Sequence, residues 1–370
     1  METNDTKRII ISGGGTGGHI FPAIAIADTF KRRYPDAEIL FIGAKGRMEM
    51  ERVPKAGYPI KGLWISGFQR RLTLKNLVFP IKVIVSTIKA KSILRSFKPD
   101  VVIGVGGYAS GPTLRAAVKM KIPALIQEQN SFPGLVNKVV GHKVNCVCVA
   151  YDNMDKWFPK DKIVLTGNPL RVSSIDITGK KEEAYKYFNL DDKKSTVLIV
   201  GGSQGALGIN KGISAQLSKI EAGDYQMLWQ TGKDYLATAK AQIKEQNLES
   251  KIRAVDFIDR MDFAYSIADV VISRAGAIAI SELAAVGKPV IFVPLPTAAE
   301  DHQTKNAMRL VEANAAEIVT NADACEKLLP TLSDLMTKPE KMLEMSKNIK
   351  LFAKIGAAEK IVDEIEKLLK

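Results

Sequence analysis

A chain of 370 residues, 46% of them hydrophobic, is long enough for two domains with separate cores. Three cysteines are too few for a disulfide framework. The start, Met1-Glu2-Thr3-Asn4-Asp5, has no apolar signal region, and no uninterrupted apolar run could cross a bilayer. The expectation is a soluble, cytoplasmic protein. The net charge of +13 is unevenly placed: residues 52–151 hold 16 Lys and Arg against two acids, Asp100 and Glu128, leaving the remainder near neutral.

The first predicted strand, Ile9–Ser12, runs straight into Gly13-Gly14-Gly15-Thr16-Gly17-Gly18-His19. Phe21–Ala27 then reads as a helix with Pro22 near its first turn. Strand, glycine loop and helix present backbone N–H groups and a helix N-terminus to an anion. His19 adds a side chain that exchanges protons near neutral pH. A phosphate-handling loop with an acid/base group points to transfer chemistry, although a tight β–α turn with a capping residue would use the same glycines. Ile39–Ile42 is the next strand. After it, Gly67–Lys82 mixes Phe68, Leu72, Leu74, Leu77, Val78 and Phe79 with Arg70, Arg71, Lys75 and Lys82. That mixture suits an anionic membrane surface, against the plainer reading of a solvated basic face. Nucleic acid is not expected as a partner, because no helix-turn-helix, zinc or RNA-binding signature accompanies the charge.

Further strands are predicted at Val101–Val105, Ala124–Gln127, Cys146–Ala150 and Ile163–Thr166. Cys146 and Cys148 would share one face of theirs, in the core. Gly104–Pro112 follows the first of these and could hold a second phosphate, with Tyr108 as a hydrogen-bonding aromatic. Gln127-Glu128-Gln129-Asn130, with Asn137 beyond it, sets one carboxylate among amides. Gly167-Asn168-Pro169 and the polar stretch to about Lys194 read as the join between domains. The second half repeats the design with strands at Thr196–Val200, Gln226–Gln230, Ile252–Val255, Val270–Ser273, Val290–Val293 and Glu317–Thr320. Gly201–Ala206 opens it as the first glycine loop opens the first half. Ser273–Ala277 leads a helix through Glu282 that stops at Gly287-Lys288-Pro289. Taken singly, Glu282 could be a solvated helix carboxylate, Glu128 a loop acid and Ser203 a cap. On corresponding loops of two matched halves they carry more weight.

Strands alternating with helices predict an α/β protein of two Rossmann-like domains with parallel sheets, ligands binding beyond the carboxyl ends of the strands in the cleft between them. The expected division is 1–168, 169–349 and a last helical stretch, 350–370, that could pack back on the first domain.

Gly13–Pro22, Gly104–Gly111, Glu128-Gln129-Asn130, Gly167–Arg171, Gly201–Ala206, Arg274–Glu282, Pro294 and Asp301–Ala307 occur in the order found in the MurG family of bacterial peptidoglycan glycosyltransferases, which this chain resembles along nearly its whole length. The resemblance implies a GT-B fold and a peripheral enzyme at the cytoplasmic face of the inner membrane. It implies inverting transfer of N-acetylglucosamine from UDP-GlcNAc to the C4 hydroxyl of MurNAc in lipid I, forming lipid II. On the acceptor side it places Thr16, Gly17, Gly18, His19, Tyr108, Glu128, Asn130 and Asn137. On the donor side it places Arg171, Ser203, Gln204, Asn210, Ala277, Ile278, His302 and Gln303, with Ile258 against the uracil and Glu282 on the ribose hydroxyls. Inverting transfer needs a base and a counter to the departing diphosphate charge. His19 is favoured as the base, with Glu128 its competitor. No Asp-x-Asp occurs in the chain, so neither a metal nor another cofactor is expected, and backbone N–H groups with the helix after Arg274-Ala275-Gly276 would meet the charge. The sequence departs from the family pattern at Gln127, where a His often stands, at His302, where a Gln is common, and at Ala279, where a Thr is frequent. A diacylglycerol glycosyltransferase or a UDP-GlcNAc 2-epimerase would share the donor half, and a membrane adaptor would need only the basic patch. The acceptor-side residues favour the first assignment over all three.

Overall fold

The computed structural model describes residues 6–67, 78–202, 204–220, 223–298 and 301–369. Ser203 and the segment 68–77, with Arg70, Arg71 and Lys75, lie outside the described residues. Contacts divide the chain into two compact units, 1–171 with 354–370, and 172–353.

The first unit holds strands β1 (Arg8–Ser12), β2 (Glu38–Ala44), β3 (Ile60–Leu63), β4 (Val101–Gly104), β5 (Ala124–Glu128), β6 (Cys146–Val149) and β7 (Ile163–Leu165). They pair in parallel in the order β3-β2-β1-β4-β5-β6-β7. Between them run α1 (Gly17–Arg33), α2 (Glu49–Lys55), α3 (Phe79–Phe97), α4 (Ser110–Lys119) and α5 (Leu135–Gly141). Helices on both faces explain the unbroken β-branched runs. Ile9 and Ile11 of β1 pack with Ile24, Phe30 and Phe41 on one side, while Ile10 packs with Leu40, Val102 and Leu114 on the other. Cys146 and Cys148 are buried, their sulfurs 4.0 Å apart. Strand β3 was not legible in the sequence: Ile60-Lys61-Gly62-Leu63 is only four residues long, and at the sheet edge, where one side needs no partner, it tolerates Lys61 and Gly62 between its two apolar ends.

The structure departs from two further expectations. Helix α1 starts at Gly17, four residues before Phe21, because Gly17 and Gly18 join the helix; Pro22 therefore lies inside it. The stretch 350–370 is not one helix either. It turns through residues 351–356, Gly356 at φ +79°, before the last helix, Ala357–Glu366. Ile361, Val362 and Ile365 of that helix join the core beneath α1, and Arg33 bonds Asp363 and Glu366 at 2.6 and 2.9 Å. The first unit also keeps Arg171, whose guanidinium stacks 4.7 Å over Phe21, and Lys354, whose ammonium donates to the Ala150 carbonyl at 3.1 Å. These contacts set the division at 171/172 and 353/354, where the sequence places it at 168/169 and 349/350.

The second unit holds β8 (Ser195–Val200), β9 (Tyr225–Gln230), β10 (Ile252–Val255), β11 (Val270–Ser273), β12 (Val290–Phe292) and β13 (Glu317–Ile318), parallel in the order β10-β9-β8-β11-β12-β13. Its helices are α6 (Val172–Ile175), α7 (Lys181–Phe188), α8 (Leu207–Ser214), α9 (Leu236–Glu245), α10 (Met261–Ile267), α11 (Ala277–Val286), α12 (His302–Val311), α13 (Ala324–Met336) and α14 (Pro339–Lys350). The stretch read as a join up to Lys194 instead contains α6 and α7. Ala184, Tyr185 and Phe188 bury one face of α7 in the second core, with Glu182 and Glu183 at the N-terminal end where the helix dipole favours acids.

Candidate active site

In each sheet the strand order reverses once, between β1 and β4 and between β8 and β11. Connections leave in opposite directions at such a point, opening a crevice at the carboxyl ends of the strands. The loops bearing His19, Tyr108, Gln204 and Arg274 follow those four strands, and those bearing Glu128, Ile258 and His302 follow their neighbours β5, β10 and β12.

In the first unit the loops after β1 and β4 meet backbone to backbone. Gly107, at φ +85°, has the Gly14 carbonyl where a Cβ would stand, and Gly106, at φ +90°, has the Cδ2–Nε2 edge of His19 there. Only glycine allows both the conformation and the approach. His19 is the third residue of α1, half-buried, with Nδ1 3.3 Å from Thr16 Oγ1. Burial lowers its pKa to about 4, opposed by a hydrogen bond with the Gly14 backbone, so the imidazole is neutral near pH 7. Thr16 and Gly18 are exposed and Gly17 is buried. Tyr108 is 46% exposed; its ring fills the space that a Cβ on Gly67 would need and lies 3.8 Å from the Cβ position of Gly15.

Glu128 ends β5 and is buried. Its Oε1 accepts from the Asn130 N–H at 3.0 Å and Asn130 Nδ2 at 3.2 Å; its Oε2 accepts from the Gly134 N–H at 3.0 Å and Asn137 Nδ2 at 2.9 Å. Burial pushes its pKa up against those four donors. A carboxylate has about four acceptor sites, so this one is filled by its own loop. Gln127, at the family's usual His position, is buried and donates to Asn168 Oδ1 at 3.3 Å. Gln129 Nε2 donates to Gln127 Oε1 and to the Val105 carbonyl, tying this loop to the one after β4.

One residue that sequence reasoning missed changes the view of the first loop. Glu49, at the start of α2, is buried and takes the Gly15 N–H on Oε2 at 2.8 Å and the Ala44 N–H on Oε1 at 2.9 Å. The Gly15 N–H, expected to face a phosphate, is thus spent on a carboxylate of the same chain. Nothing in the local spacing betrays this, because Gly15 lies 34 residues before Glu49.

In the second unit, the loop after β8 is closed by the Gly205 N–H on the Gly202 carbonyl at 3.0 Å and by Gln230 Nε2 on the same carbonyl at 2.7 Å. Gln204 is exposed. Asn210 is buried and engaged at both ends: its Nδ2 donates to the Thr231 carbonyl at 2.7 Å, and its Oδ1 accepts from Trp229 Nε1 at 3.1 Å. It ties α8 to the end of β9. After β11, Arg274 donates to the carbonyls of Val293 and Pro294 at 2.8 and 3.1 Å, and burial lowers its pKa to about 10. Gly276 caps α11 without a side-chain hydrogen bond, and no acidic residue lies in the first turn, so the N–H groups of Ala277 and Ile278 begin a helix whose own first turn supplies no anion. Glu282 lies farther along α11, and the buried Tyr265 of α10 donates its hydroxyl to Glu282 Oε2 at 3.1 Å. Ile258 is buried in the turn before α10. His302 and Gln303 are half-buried and open α12, Gln303 Oε1 accepting from the Leu295 N–H at 2.9 Å.

The turn bearing Ile258 is anchored by Asp262, which accepts from Arg260 Nε and Nη2 at 3.0 and 2.8 Å and from Lys180 Nζ at 3.0 Å. Burial alone would raise the Asp262 pKa; the two cations override it and hold it at about 2. A lowered carboxylate pKa stabilises the fold above the unfolded value and is lost as pH falls towards the folded one. Asp262→Asn is therefore expected to lower unfolding stability by about 2 kcal/mol at pH 7, the scale of hydrogen bonds to a charged group. Urea titrations at pH 7 and pH 2 check this: the gap between parent and variant should close between about pH 4 and pH 2.

Two parallel α/β units, each with glycine loops at its strand-order reversal, are the make-up of two-domain nucleotide-sugar glycosyltransferases. Comparison with known proteins agrees. Residues 9–149 match the glycosyltransferase family 28 N-terminal domain, and residues 196–362 match the C-terminal domain of that family. A protein of Parabacteroides distasonis is 52% identical over 98% of both chains, and one of Cytophaga hutchinsonii is 52% identical over 100% of this chain and 99% of its own. Both are named UDP-N-acetylglucosamine–N-acetylmuramyl-(pentapeptide) pyrophosphoryl-undecaprenol N-acetylglucosamine transferase. The crystal structure of Acinetobacter baumannii MurG superposes with a TM-score of 0.72 at 30% identity, covering 98% of this chain and 99% of that one. The chain belongs to glycosyltransferase family 28 and, within it, to the MurG family. A UDP-GlcNAc 2-epimerase from Neisseria meningitidis, 16% identical with a TM-score of 0.67 and covering 97% of this chain and 100% of its own, shares the fold alone.

Proposed function

We propose that this chain transfers N-acetylglucosamine from UDP-GlcNAc to the C4 hydroxyl of MurNAc in undecaprenyl-pyrophosphoryl-MurNAc-pentapeptide, inverting the anomeric carbon and forming lipid II. One observation carries the reading: a half-buried His19, its pKa lowered by burial so that the imidazole is neutral, sits where two glycine loops meet, in a chain 52% identical along its length to relatives named for that reaction.

The acceptor oxygen attacks C1 from the face opposite UDP, and the C1–O bond to the diphosphate breaks with its electron pair going to UDP. The proton passes from the C4 hydroxyl to His19. An imidazole with a pKa near 4 is a weak base. It takes the proton late, when the oxygen turns acidic on forming its new bond. Glu128, its oxygens filled by Asn130, Gly134 and Asn137, shapes the acceptor loop, with Thr16, Gly17, Gly18 and Tyr108 lining the same region. The departing charge meets the N–H groups of Ala277 and Ile278 and the Arg274 guanidinium. Glu282 takes the ribose hydroxyls, and the backbone at Ile258 meets the uracil. Ser203, Gln204, Arg171, His302 and Gln303 complete the donor contacts. The test is transfer in EDTA, with the product linkage read by NMR. Undiminished formation of β-linked product supports this reading. An α-linked product, or a rate reduced more than about tenfold and restored saturably by Mn²⁺, contradicts it.

The anionic membrane surface belongs to the same proposal. Among the described residues no helix is long and apolar enough to cross a membrane. Helix α3 exposes Ile81, Ile84, Val85 and Ile88, spaced to share one face, and Lys82, Lys89 and Lys91 lie along the same helix. Trp64, whose carbonyl accepts from Ser86 of α3 at 2.9 Å, is exposed beside it. This stripe, in a chain whose excess positive charge falls within residues 52–151, suits shallow insertion into an anionic surface. Salt screens the charge but not the apolar insertion. Co-sedimentation with anionic vesicles should therefore weaken, without vanishing, as salt rises to 1 M. Replacing Ile84 and Ile88 together by Asp should abolish most of it and leave UDP binding unchanged. A double variant that sediments like the parent would remove α3 from the contact.

A further inference from the structure

A buried carboxylate with no cation beside it is uncommon, because its charge must be met by something else. Glu49 is 1% exposed, and among the described residues no basic side chain pairs with it. Two backbone N–H groups meet it instead. One, from Ala44, closes the end of β2; the other, from Gly15, lies in the loop that leads into His19. The Glu49 carboxyl occupies the place a Cβ on Gly14 would need, and its Cγ the place a Cβ on Gly43 would need. The two glycines thus read as a slot for this side chain. Gly14 adopts φ +142° and passes its carbonyl to the Gly107 contact, while its backbone also bonds His19. A chain of contacts therefore runs from Glu49 through Gly14 and Gly15 to the imidazole and to the loop after β4.

We propose that Glu49 is a positioning residue for the transfer: its carboxylate holds Gly14–Thr16 in the one course that sets the His19 ring against the acceptor hydroxyl. The proposal rests on His19 being the base. Charge-assisted bonds to backbone N–H groups are short and directional, which suits fixing a loop rather than contacting substrate. Displacing a catalytic group by about 1 Å can cost 10²-fold in rate even when the change is remote from the chemistry. Glu49→Gln keeps the size but turns an N–H₂ towards one of two N–H donors, so one bond is lost and two donors oppose each other.

The experiment is a double-mutant cycle on kcat with parent, Glu49→Gln, His19→Ala and the double variant, each checked for UDP affinity by calorimetry. Glu49→Gln is expected to lower kcat about 10- to 100-fold with UDP affinity within twofold of the parent. In the His19→Ala background it should add nothing, because the loop then has no imidazole to place. A general weakening of the fold would slow both backgrounds alike. Should Glu49→Gln fail to bind UDP, Glu49→Asp, which keeps the charge and is one methylene short of spanning both N–H groups, carries the same cycle. A kcat within twofold of the parent, or a double variant slowed by the product of the single effects, overturns the proposal while leaving His19 as the base. An unchanged kcat in His19→Ala alone removes the base and the proposal together.

Discussion

Replacing His19 by alanine is expected to lower kcat by about 10²- to 10⁴-fold while UDP affinity stays within twofold, the mark of a group that acts only in the transition state. The loss is large because the rival carboxylate, Glu128, already accepts four hydrogen bonds from Asn130, Gly134 and Asn137. Glu128→Ala should instead raise the acceptor KM more than it lowers kcat, since it frees Asn130, Gly134 and Asn137 together. The pH profile adds a check. With the free-enzyme pKa near 4, His19 is unprotonated above about pH 5, so the acid limb of kcat/KM belonging to it should fall near pH 4. A rate that survives His19→Ala and collapses in Glu128→Ala would transfer the role to Glu128.

Removing Glu282 is the second large effect. In the proposed site Glu282 would take two ribose hydroxyls in charge-assisted bonds, and Tyr265 donates its hydroxyl to the same carboxylate at 3.1 Å. Glu282→Ala should weaken UDP binding by about 2–3 kcal/mol, roughly 30- to 150-fold. Tyr265→Phe, which loosens the carboxylate without deleting it, should cost less than tenfold. Calorimetry with UDP reads both, and unchanged affinity in Glu282→Ala would take that residue out of the site.

The fold was legible because parallel strands buried on both faces leave dense β-branched runs, such as Ile9-Ile10-Ile11, and because glycine loops mark where those strands end. The edge strand β3 was not legible: an edge tolerates Lys61 and Gly62, which erase the pattern. Helix α7 hid for a different reason. Its polar face dominates the composition, and only Ala184, Tyr185 and Phe188 turn inward. At the site, His19, Glu128, Arg274 and Glu282 could be singled out by residue type and by their place after strands. What could not be read is which groups are already engaged. Glu49 looks like any helical acid until Gly15 and Ala44 are seen to donate to it, and Asn210 looks like a donor-side amide until Trp229 and Thr231 are seen to occupy it. Three of these pairings join residues 19, 21 and 34 positions apart, beyond the reach of local pattern, and the fourth, Glu49 with Ala44, spans five residues across the turn from β2 into α2.

The central claim is the identity of donor and acceptor, and one assay reaches it directly: incubation of the protein with UDP-GlcNAc labelled in the sugar and a short-chain lipid I analogue. Label is expected on the analogue as a β-linked GlcNAc, with none on diacylglycerol and no conversion of UDP-GlcNAc to its 2-epimer. Label appearing only on diacylglycerol, or an epimerised nucleotide sugar with the acceptor untouched, would contradict it.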